Sequence, residues 1–234
     1  MTKKTQPVVL AIDSSTEIFE AVLLGKEGCE QIEFREGLKH AEQIGVATQK
    51  LLKKAPLESI DLVAYARGPG SFTGLRIGAA FCKGLCATGQ PKLFSIPTLQ
   101  AMQRSWKLGI DDESLEGGNH YLLPCIDGRK QRFFMQLYSV TGEPLCEVLD
   151  AHSDQAREVI EKQLTKNDSL HILGPHAQAF YDFCKPDVKI LIEMDSGCAH
   201  GLADIAKEIY NSQDADSPWQ GPEYYRLSQA EEAR

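Results

Sequence analysis

The sequence lacks the motifs that most often mark a metal site or a membrane protein. Its six histidines show no His-x-x-x-His or His-Glu-x-x-His spacing, and its seven cysteines include no Cys-x-x-Cys pair. We therefore predict no metal site, and scattered cysteines in odd number favour reduced thiols. No apolar stretch reaches the roughly 18 residues that a spanning helix needs, and the run Val8–Ile12 is too short for a signal peptide. We expect a cytoplasmic protein without membrane contact.

Positive charge is also scarce for a protein that would bind nucleic acid by itself. Lys and Arg total 25 against 33 Asp and Glu, so the formal net charge is −8. Nucleic-acid affinity depends largely on Lys and Arg side chains that neutralise phosphates. Because an acidic surface repels phosphate backbones, we expect weak binding of RNA by the isolated chain.

The pattern of strands and helices repeats along the chain. Each half reads strand–strand–strand–helix–strand–helix, opens with Ile-Asp at Asp13 or Asp127, and later reaches Gly-Pro. The polar, glycine-bearing stretch 107–119 is typical of a linker. We therefore predict an α/β protein with an actin-like (ASKHA) fold of two duplicated lobes, each a mixed sheet with helices. The lobes would span residues 1–106 and 107–234, and the last segment could return to the first lobe.

Alternation and apolar periodicity give the individual elements. The strands predicted in the second half are Tyr121–Ile126, Arg132–Tyr138, Leu145–Leu149 and Leu170–Leu173. The helices predicted there are Asp154–Thr165, Ala177–Cys184 and Ala199–Tyr210.

The stretch Gly68–Gly78 (GPGSFTGLRIG) is the most informative motif of the chain. Pro69 fixes one backbone angle, Gly70 permits unusual ones, and Ser71 or Thr73 can cap the helix that follows. The free N–H groups of such a helix start attract anions. The lysine of a Walker loop and the third glycine of Gly-x-Gly-x-x-Gly are missing, however. The stretch is therefore either a nucleotide-binding loop or a tight turn that packs a helix closely against a sheet.

A second turn, Asp13-Ser14-Ser15-Thr16, follows the first predicted strand. In actin-like kinases this turn carries an aspartate and hydroxyl side chains that face phosphate and metal. The alternative is an ordinary turn in which Asp and Ser bond the local backbone. In the first reading, the candidate nucleotide-binding residues are Asp13, Ser14, Ser15, Gly70, Ser71 and Thr73.

Two helices of the first half, His40–Lys54 and Ser71–Thr88, carry broad stripes of small and apolar residues. Glycine inside a helix costs roughly 1 kcal/mol relative to alanine, so its presence needs a reason. Either both helices pack on their own sheet and on each other, or they form an interface with another subunit. The second reading assigns partner binding to His40, Ala41, Ile44, Gly45, Thr48, Gly74, Leu75, Gly78 and Cys82.

As a whole string, residues 68–78 closely resemble the signature of the bacterial TsaB (YeaZ) family, which takes part in making threonylcarbamoyladenosine on tRNA. Other matches follow in the same order from about residue 8 to about residue 226. They are Leu10–Glu17, Ser95–Ala101, Ile126–Lys130 and Pro222–Arg226.

This resemblance implies a kinase-like fold without catalysis of its own. The related TsaD would hold the metal and perform the transfer, TsaE would supply ATPase activity, and tRNA would be bound only indirectly. TsaD carries a metal-binding His-x-x-x-His, whereas this chain has His40 but Ile44 at the second position, so no such pair exists. The family pairs through the two helices, with itself and with TsaD. No cofactor is then required by this chain, although ATP or ADP could bind at the interface of the complex.

Two further functions are weighed against this one. The first is an actin-fold ATPase or small-molecule kinase that uses Asp13 and the 68–74 loop. The second is a peptidase, which the sequence does not support because Ser71 has no histidine near it in sequence and no Gly-x-Ser-x-Gly elbow is present.

Overall fold

The first half of the chain forms a five-stranded mixed sheet. The computed structural model describes residues 6–26, 28–35, 39–87, 89, 91–111, 115, 117–193, 197–212, 215–216 and 220–226. The strands are β1 (Val9–Asp13), β2 (Phe19–Gly25), β3 (Gly28–Phe34), β4 (Leu62–Gly68) and β5 (Lys92–Pro97), and the helices are α1 (His40–Leu52), α2 (Phe72–Cys86) and α3 (Thr98–Leu108). The strand order is β3-β2-β1-β4-β5, with β1 antiparallel to β2 and parallel to β4.

The second half forms a six-stranded mixed sheet. Its strands are β6 (His120–Arg129), β7 (Arg132–Met135), β8 (Tyr138–Ser139), β9 (Leu149–Ala151), β10 (Ser169–Leu173) and β11 (Lys189–Glu193). Its helices are α4 (Ser153–Gln163), α5 (Ala177–Cys184) and α6 (Ala199–Ile209). The order is β11-β10-β6-β7-β9, and β8 pairs with β6 outside this path.

The two sheets have the same topology. If β6, β7, β9, β10 and β11 are numbered one to five, both sheets read 3-2-1-4-5. In each, the first strand is central: it forms an antiparallel hairpin with the second strand and pairs in parallel with the fourth. The predicted actin-like fold of two duplicated lobes is therefore confirmed.

Helix α6 lies on the first sheet although it is last in the chain. Leu202 and Ala203 pack into the same core as Val9 and Leu62. Gly201 lies so close to α3 that a methyl group there would overlap the backbone carbonyl of Ala101. Helix α6 thus packs within the first lobe, while the boundary between residues 106 and 107 stays a prediction.

The structure differs from the elements predicted for the second lobe at three places. The strand predicted over Arg132–Tyr138 is divided into β7 and β8. No strand covers 145–148; the strand begins at Leu149, because Leu145 instead donates its N–H to Leu137 in an irregular turn. The edge strand β11 was missed, since five residues that pair only with β10 give little local signal. The predicted end of the second helix, Thr88, lies outside the described residues.

Among the helices of the described ranges, none has both the length and the apolar character to cross a membrane.

Candidate functional site: the cleft between the lobes

The turn after β1 is held by its own hydrogen bonds. The Asp13 carboxylate accepts from the Ser15 N–H at 2.8 Å, and Asp13 is buried. The Ser14 hydroxyl donates to the Gly74 carbonyl at 2.9 Å, and the Ser15 carbonyl accepts from the Ser71 N–H at 2.7 Å. Asp13 therefore bonds the local backbone, as in an ordinary turn, and Ser14 ties this turn to the start of α2.

The glycines of the 68–78 motif make room for that turn. A Cβ at Gly70 would lie 2.5 Å from the Ser15 carbonyl oxygen, and a Cβ at Gly78 would lie 2.5 Å from the Ser14 hydroxyl oxygen. At Gly74 a methyl group would overlap the Ser14 backbone. The glycine pattern thus allows close packing of α2 against the turn that follows β1.

A cleft of about 570 Å³ opens between the two lobes beside these turns. Residues of the first lobe line one side, residues of the β6–β7 hairpin line the other, and a C-terminal segment crosses it. Of the predicted nucleotide-binding residues, Ser15, Gly70, Ser71 and Thr73 line the cleft. Asp13 and Ser14 are not among its lining residues and lie behind it.

The start of α2 lines the cleft through Ser71, Phe72 and Thr73. The Ser71 hydroxyl accepts from the Gly74 N–H at 3.3 Å and so caps the helix. Ser71 has no histidine partner among the described hydrogen bonds that could activate its hydroxyl.

The β6–β7 hairpin brings basic side chains to the opposite wall. Arg129, Lys130 and Gln131 all have positive φ angles (62°, 54° and 58°), and the Asp127 carboxylate accepts from the Arg129 N–H at 2.7 Å. The left-handed backbone is uncommon for residues other than glycine, so surrounding contacts such as the Asp127 hydrogen bond must hold this turn. Arg129 and Lys130 line the cleft, which sequence analysis noted only as part of a resemblance.

A hydrogen bond that the sequence did not reveal spans the cleft. His176, just before α5, donates from Nε2 to the Glu17 carboxylate of the first lobe at 3.0 Å. The hydrogen bond from His176 lowers the pKa of Glu17 below its ordinary value, although partial burial opposes the shift. No local pattern marks either residue, because the two are far apart in the chain.

A buried carboxylate lies behind the cleft. Glu20 lies opposite Asp13 in the antiparallel register of β1 and β2. Its carboxylate accepts hydrogen bonds from the Ala199 N–H and from the Gln31 side-chain amide, each at 2.7 Å. Burial raises the pKa of Glu20 to about 7. This side chain fixes the start of α6 against the first sheet.

Most residues assigned to partner binding are internal, which corrects that prediction. Only Ala41 and Gly45 of the assigned set are exposed. The others are buried in the first lobe: His40, Ile44, Thr48, Gly74, Leu75, Gly78 and Cys82. The close approach expected at Gly78 is made by Ser14 of the same chain.

On the solvent side of α1 and α2, a different set of small and apolar residues is exposed. Val46 is 49% exposed, and nothing lies within 4 Å of a Cβ built on Gly45 or Gly84. Ala80 and Ala87 are also exposed on α2. We call Ala41, Gly45, Val46, Ala80, Gly84 and Ala87 the outer helix face.

His40 makes a hydrogen bond within the first lobe. Its Nε2 donates to the Thr16 carbonyl at 2.7 Å and so joins α1 to the turn after β1. Among the described residues, no group of three or more His, Cys, Asp or Glu side chains is arranged to hold a metal ion.

Comparison with known sequences identifies relatives across much of the chain. The sequence model of the family described as "TsaD: tRNA N6-adenosine threonylcarbamoyltransferase" matches residues 37–216. The chain is 31% identical over 134 residues to "tRNA threonylcarbamoyladenosine biosynthesis protein TsaB" of Escherichia coli (strain K12), a match that covers 56% of this chain and 54% of the relative. It is 24% identical over 235 residues to the protein of the same name from Bacillus subtilis (strain 168), covering 95% and 96%.

The matched length differs between relatives. The chain spans about half the length of the first curated relatives, from Escherichia coli, Haemophilus influenzae and Buchnera aphidicola. Among solved structures it is similar to "YeaZ from Pseudomonas aeruginosa", with a TM-score of 0.73, 22% identity, and coverage of 93% of this chain and 99% of that one. At this identity the structural likeness concerns the fold.

Proposed function

The chain belongs to the TsaB (YeaZ) family, within the wider group matched by the TsaD model, and from this membership we propose that it acts in the synthesis of threonylcarbamoyladenosine on tRNA. The observation that carries the proposal is the family match over residues 37–216, which includes the 68–78 motif and both helices of the outer helix face. The substrate class is the tRNA adenosine beside the anticodon, which would receive a threonylcarbamoyl group from its adenylate.

Within this pathway the chain would act as a non-catalytic subunit that supports TsaD. Asp13 is bonded to the Ser15 N–H and lies behind the cleft, which does not favour the alternative of an ATPase or kinase that uses Asp13. His40 contacts the Thr16 carbonyl and is followed by Ile44, so the chain offers no histidine pair for a metal on α1. The chemistry would then belong to the partner.

The outer helix face is the surface we assign to that partner. Its small side chains allow another helix to approach closely, and Val46 provides exposed apolar area. TsaD would bind there to form a heterodimer, a second copy of this chain would bind there in its absence, and TsaE would join the complex in the cytoplasm.

Nucleotide binding is a separate part of the proposal. The cleft contains hydroxyl side chains from Ser15, Ser71 and Thr73 and basic side chains from Arg129 and Lys130. These groups suit the phosphates of ATP or ADP in the cleft between the lobes, while the isolated chain requires no cofactor for its supporting role.

Reconstitution with TsaD and TsaE tests the proposal. The measured quantity is threonylcarbamoyladenosine in tRNA digests, with the threonylcarbamoyl adenylate supplied. We expect product only when this chain, TsaD and TsaE are all present, and no ATP hydrolysis by this chain alone. Full product formation without this chain would contradict the supporting role. ATP hydrolysis by the pure chain that disappears in Asp13→Ala would favour the kinase alternative.

A further inference from the structure

A short segment near the end of the chain crosses the cleft. We call residues 222–226 the C-terminal strap. At the first lobe, the Glu223 N–H donates to the Arg67 carbonyl at 2.8 Å, and the Arg67 Nε donates to the Glu223 carboxylate at 3.0 Å. The strap is therefore attached to the end of β4 by one backbone hydrogen bond and one ion pair.

The next residue of the strap binds the start of α2. The Tyr224 hydroxyl accepts from Arg76 Nε at 2.9 Å, and its ring lies 4.9 Å from the ring of Phe72. The Arg76 guanidinium lies 3.7 Å above the Phe72 ring. These contacts attach the strap to the helix that carries part of the outer helix face.

The other end of the strap is bound to the second lobe. Arg226 donates to the Gly128 carbonyl at 2.8 Å and from Nε to the Asp150 carboxylate at 2.9 Å. Asp150 also accepts from Arg132 at 2.9 Å. Burial alone would raise the pKa of Asp150, but the two arginines outweigh it and hold that pKa below its ordinary value.

The loop under the strap is shaped to receive it. Gly68 has a φ of +129°, and a methyl group there would overlap the Glu223 carbonyl oxygen. A side chain at position 68 would therefore displace the strap as well as strain the backbone. This gives Gly68, the first glycine of the motif, a role that is independent of nucleotide binding.

We propose that residues 222–226 clamp the two lobes together and set the width of the cleft. The first anchor is on β4 and α2, and the second is on the β6–β7 hairpin and β9, so opening of the cleft requires one of them to break. Because the Glu223 carbonyl lies against Gly68, release of the strap would also uncover that end of the 68–74 loop. The inference concerns the isolated chain and does not depend on its role in tRNA modification.

The lobes have other connections, so the strap can be tested without loss of the fold. Glu17 and His176 join them across the cleft, and α3 packs against β6. We therefore expect variants of the strap to change local opening more than global stability.

Hydrogen exchange of the full chain, followed by mass spectrometry, tests the clamp. Arg226→Gln removes the second-lobe anchor. We expect amides of residues 66–74, at the opposite end of the strap, to exchange about tenfold faster or more, as the loss of charge-assisted hydrogen bonds implies. Arg132→Gln is the matched control, because it removes the other arginine from Asp150 and leaves the strap intact.

Three outcomes decide the proposal. Faster exchange at residues 66–74 in Arg226→Gln, with the control unchanged, supports the clamp. Unchanged exchange in both variants overturns it, and equal acceleration in both overturns it too, because the effect then belongs to Asp150 alone. If Arg226→Gln fails to fold, Glu223→Gln attacks the first anchor, and we expect faster exchange at residues 127–132; no change there also overturns the clamp.

Discussion

At the scale of single residues, the glycines of the 68–78 motif are explained by what lies against them. Gly70, Gly74 and Gly78 face Ser14 and Ser15, whereas Gly84 faces open space. The glycines of helix α2 therefore serve two different structural purposes. Internal glycines permit contact with the turn after β1, and the outward glycine leaves a flat surface.

The first prediction is that Gly78→Leu destabilises the protein. The added side chain would meet the Ser14 hydroxyl in a buried site, and overpacking of this kind costs about 1–3 kcal/mol. For a chain of this size we expect the melting temperature to fall by about 2–4 °C per kcal/mol.

The matched control for this prediction is Gly84→Leu on the same helix. Gly84 is exposed with free space around it, so the change should leave stability equal or raise it by about 0.8 kcal/mol through helix propensity. Melting curves at low protein concentration compare the two. A Gly78→Leu protein as stable as Gly84→Leu would show that the turn after β1 can move away.

The second prediction concerns Glu20 and pH. Burial raises the pKa of Glu20 from 4.5 to about 7, so between these values the folded state holds more protons than the unfolded state. Stability from this group is therefore greatest below about pH 4.5 and is lost as the pH rises to about 7. Relative to Glu20→Gln, the parent protein should lose roughly 2–3 kcal/mol of unfolding free energy between pH 5 and pH 8.

Urea unfolding at both pH values measures this difference. Glu58→Gln, which changes an exposed carboxyl group of the first lobe, serves as the control and should show no such change. A parent and a Glu20→Gln protein with parallel pH profiles would mean that Glu20 is ionised without penalty in the folded state.

At the scale of elements, helix α2 has two apolar sides. One side buries Leu75, Ala79 and Cys82 against the first sheet, and the other presents Ala80, Gly84 and Ala87 to solvent. A helix that is apolar on most sides needs cover on most sides. The first sheet covers one side only, which supports a partner on the outer helix face.

The third prediction is that Gly84→Glu weakens association with TsaD and with a second copy while the fold remains. A buried unpaired carboxylate at an interface is unfavourable by several kcal/mol, but on the free monomer it is solvated. Size-exclusion chromatography with light scattering measures both kinds of pairing.

Gln163→Glu, which adds the same charge on α4 of the second lobe, is the control and should pair normally. Normal pairing by Gly84→Glu, with an unchanged melting temperature, would show that the outer helix face is not the interface.

At the scale of the whole molecule, two lobes of equal topology enclose a cleft. The Glu17–His176 pair spans one part, the C-terminal strap spans another, and α6 returns to the first sheet. The excess of acidic side chains weakens the attraction of this protein for negatively charged ligands. A net charge of −8 opposes contact with a polyanion unless a partner supplies the positive charge.

The fourth prediction is that the isolated chain binds tRNA weakly. Because acidic side chains outnumber basic ones, its dissociation constant at physiological salt should be roughly 10⁻⁵ M or weaker, within the range of non-specific binding. Filter binding over a series of salt concentrations measures it, with the reconstituted complex as the positive control. Tight binding by the chain alone that falls steeply with salt would reveal a basic surface that opposes this expectation.

The fold class and the key loop were determined by the sequence itself. Alternating and periodic apolar residues depend on neighbours in the chain, so they predicted most strands and helices and the repeated order of the two lobes. The string at 68–78 was also local, since turn glycines and a capping serine act within a few residues.

Only the tertiary structure decided what those residues contact. Ser14 against Gly78, His176 against Glu17 and Arg226 against Asp150 each join residues that are distant in the chain. A helical wheel shows which residues share a face, but it cannot show whether a sheet, a turn or another subunit covers that face. For this reason the apolar stripe of α2 was predicted correctly as a stripe, while its partner at Gly78 proved to be the chain's own first turn.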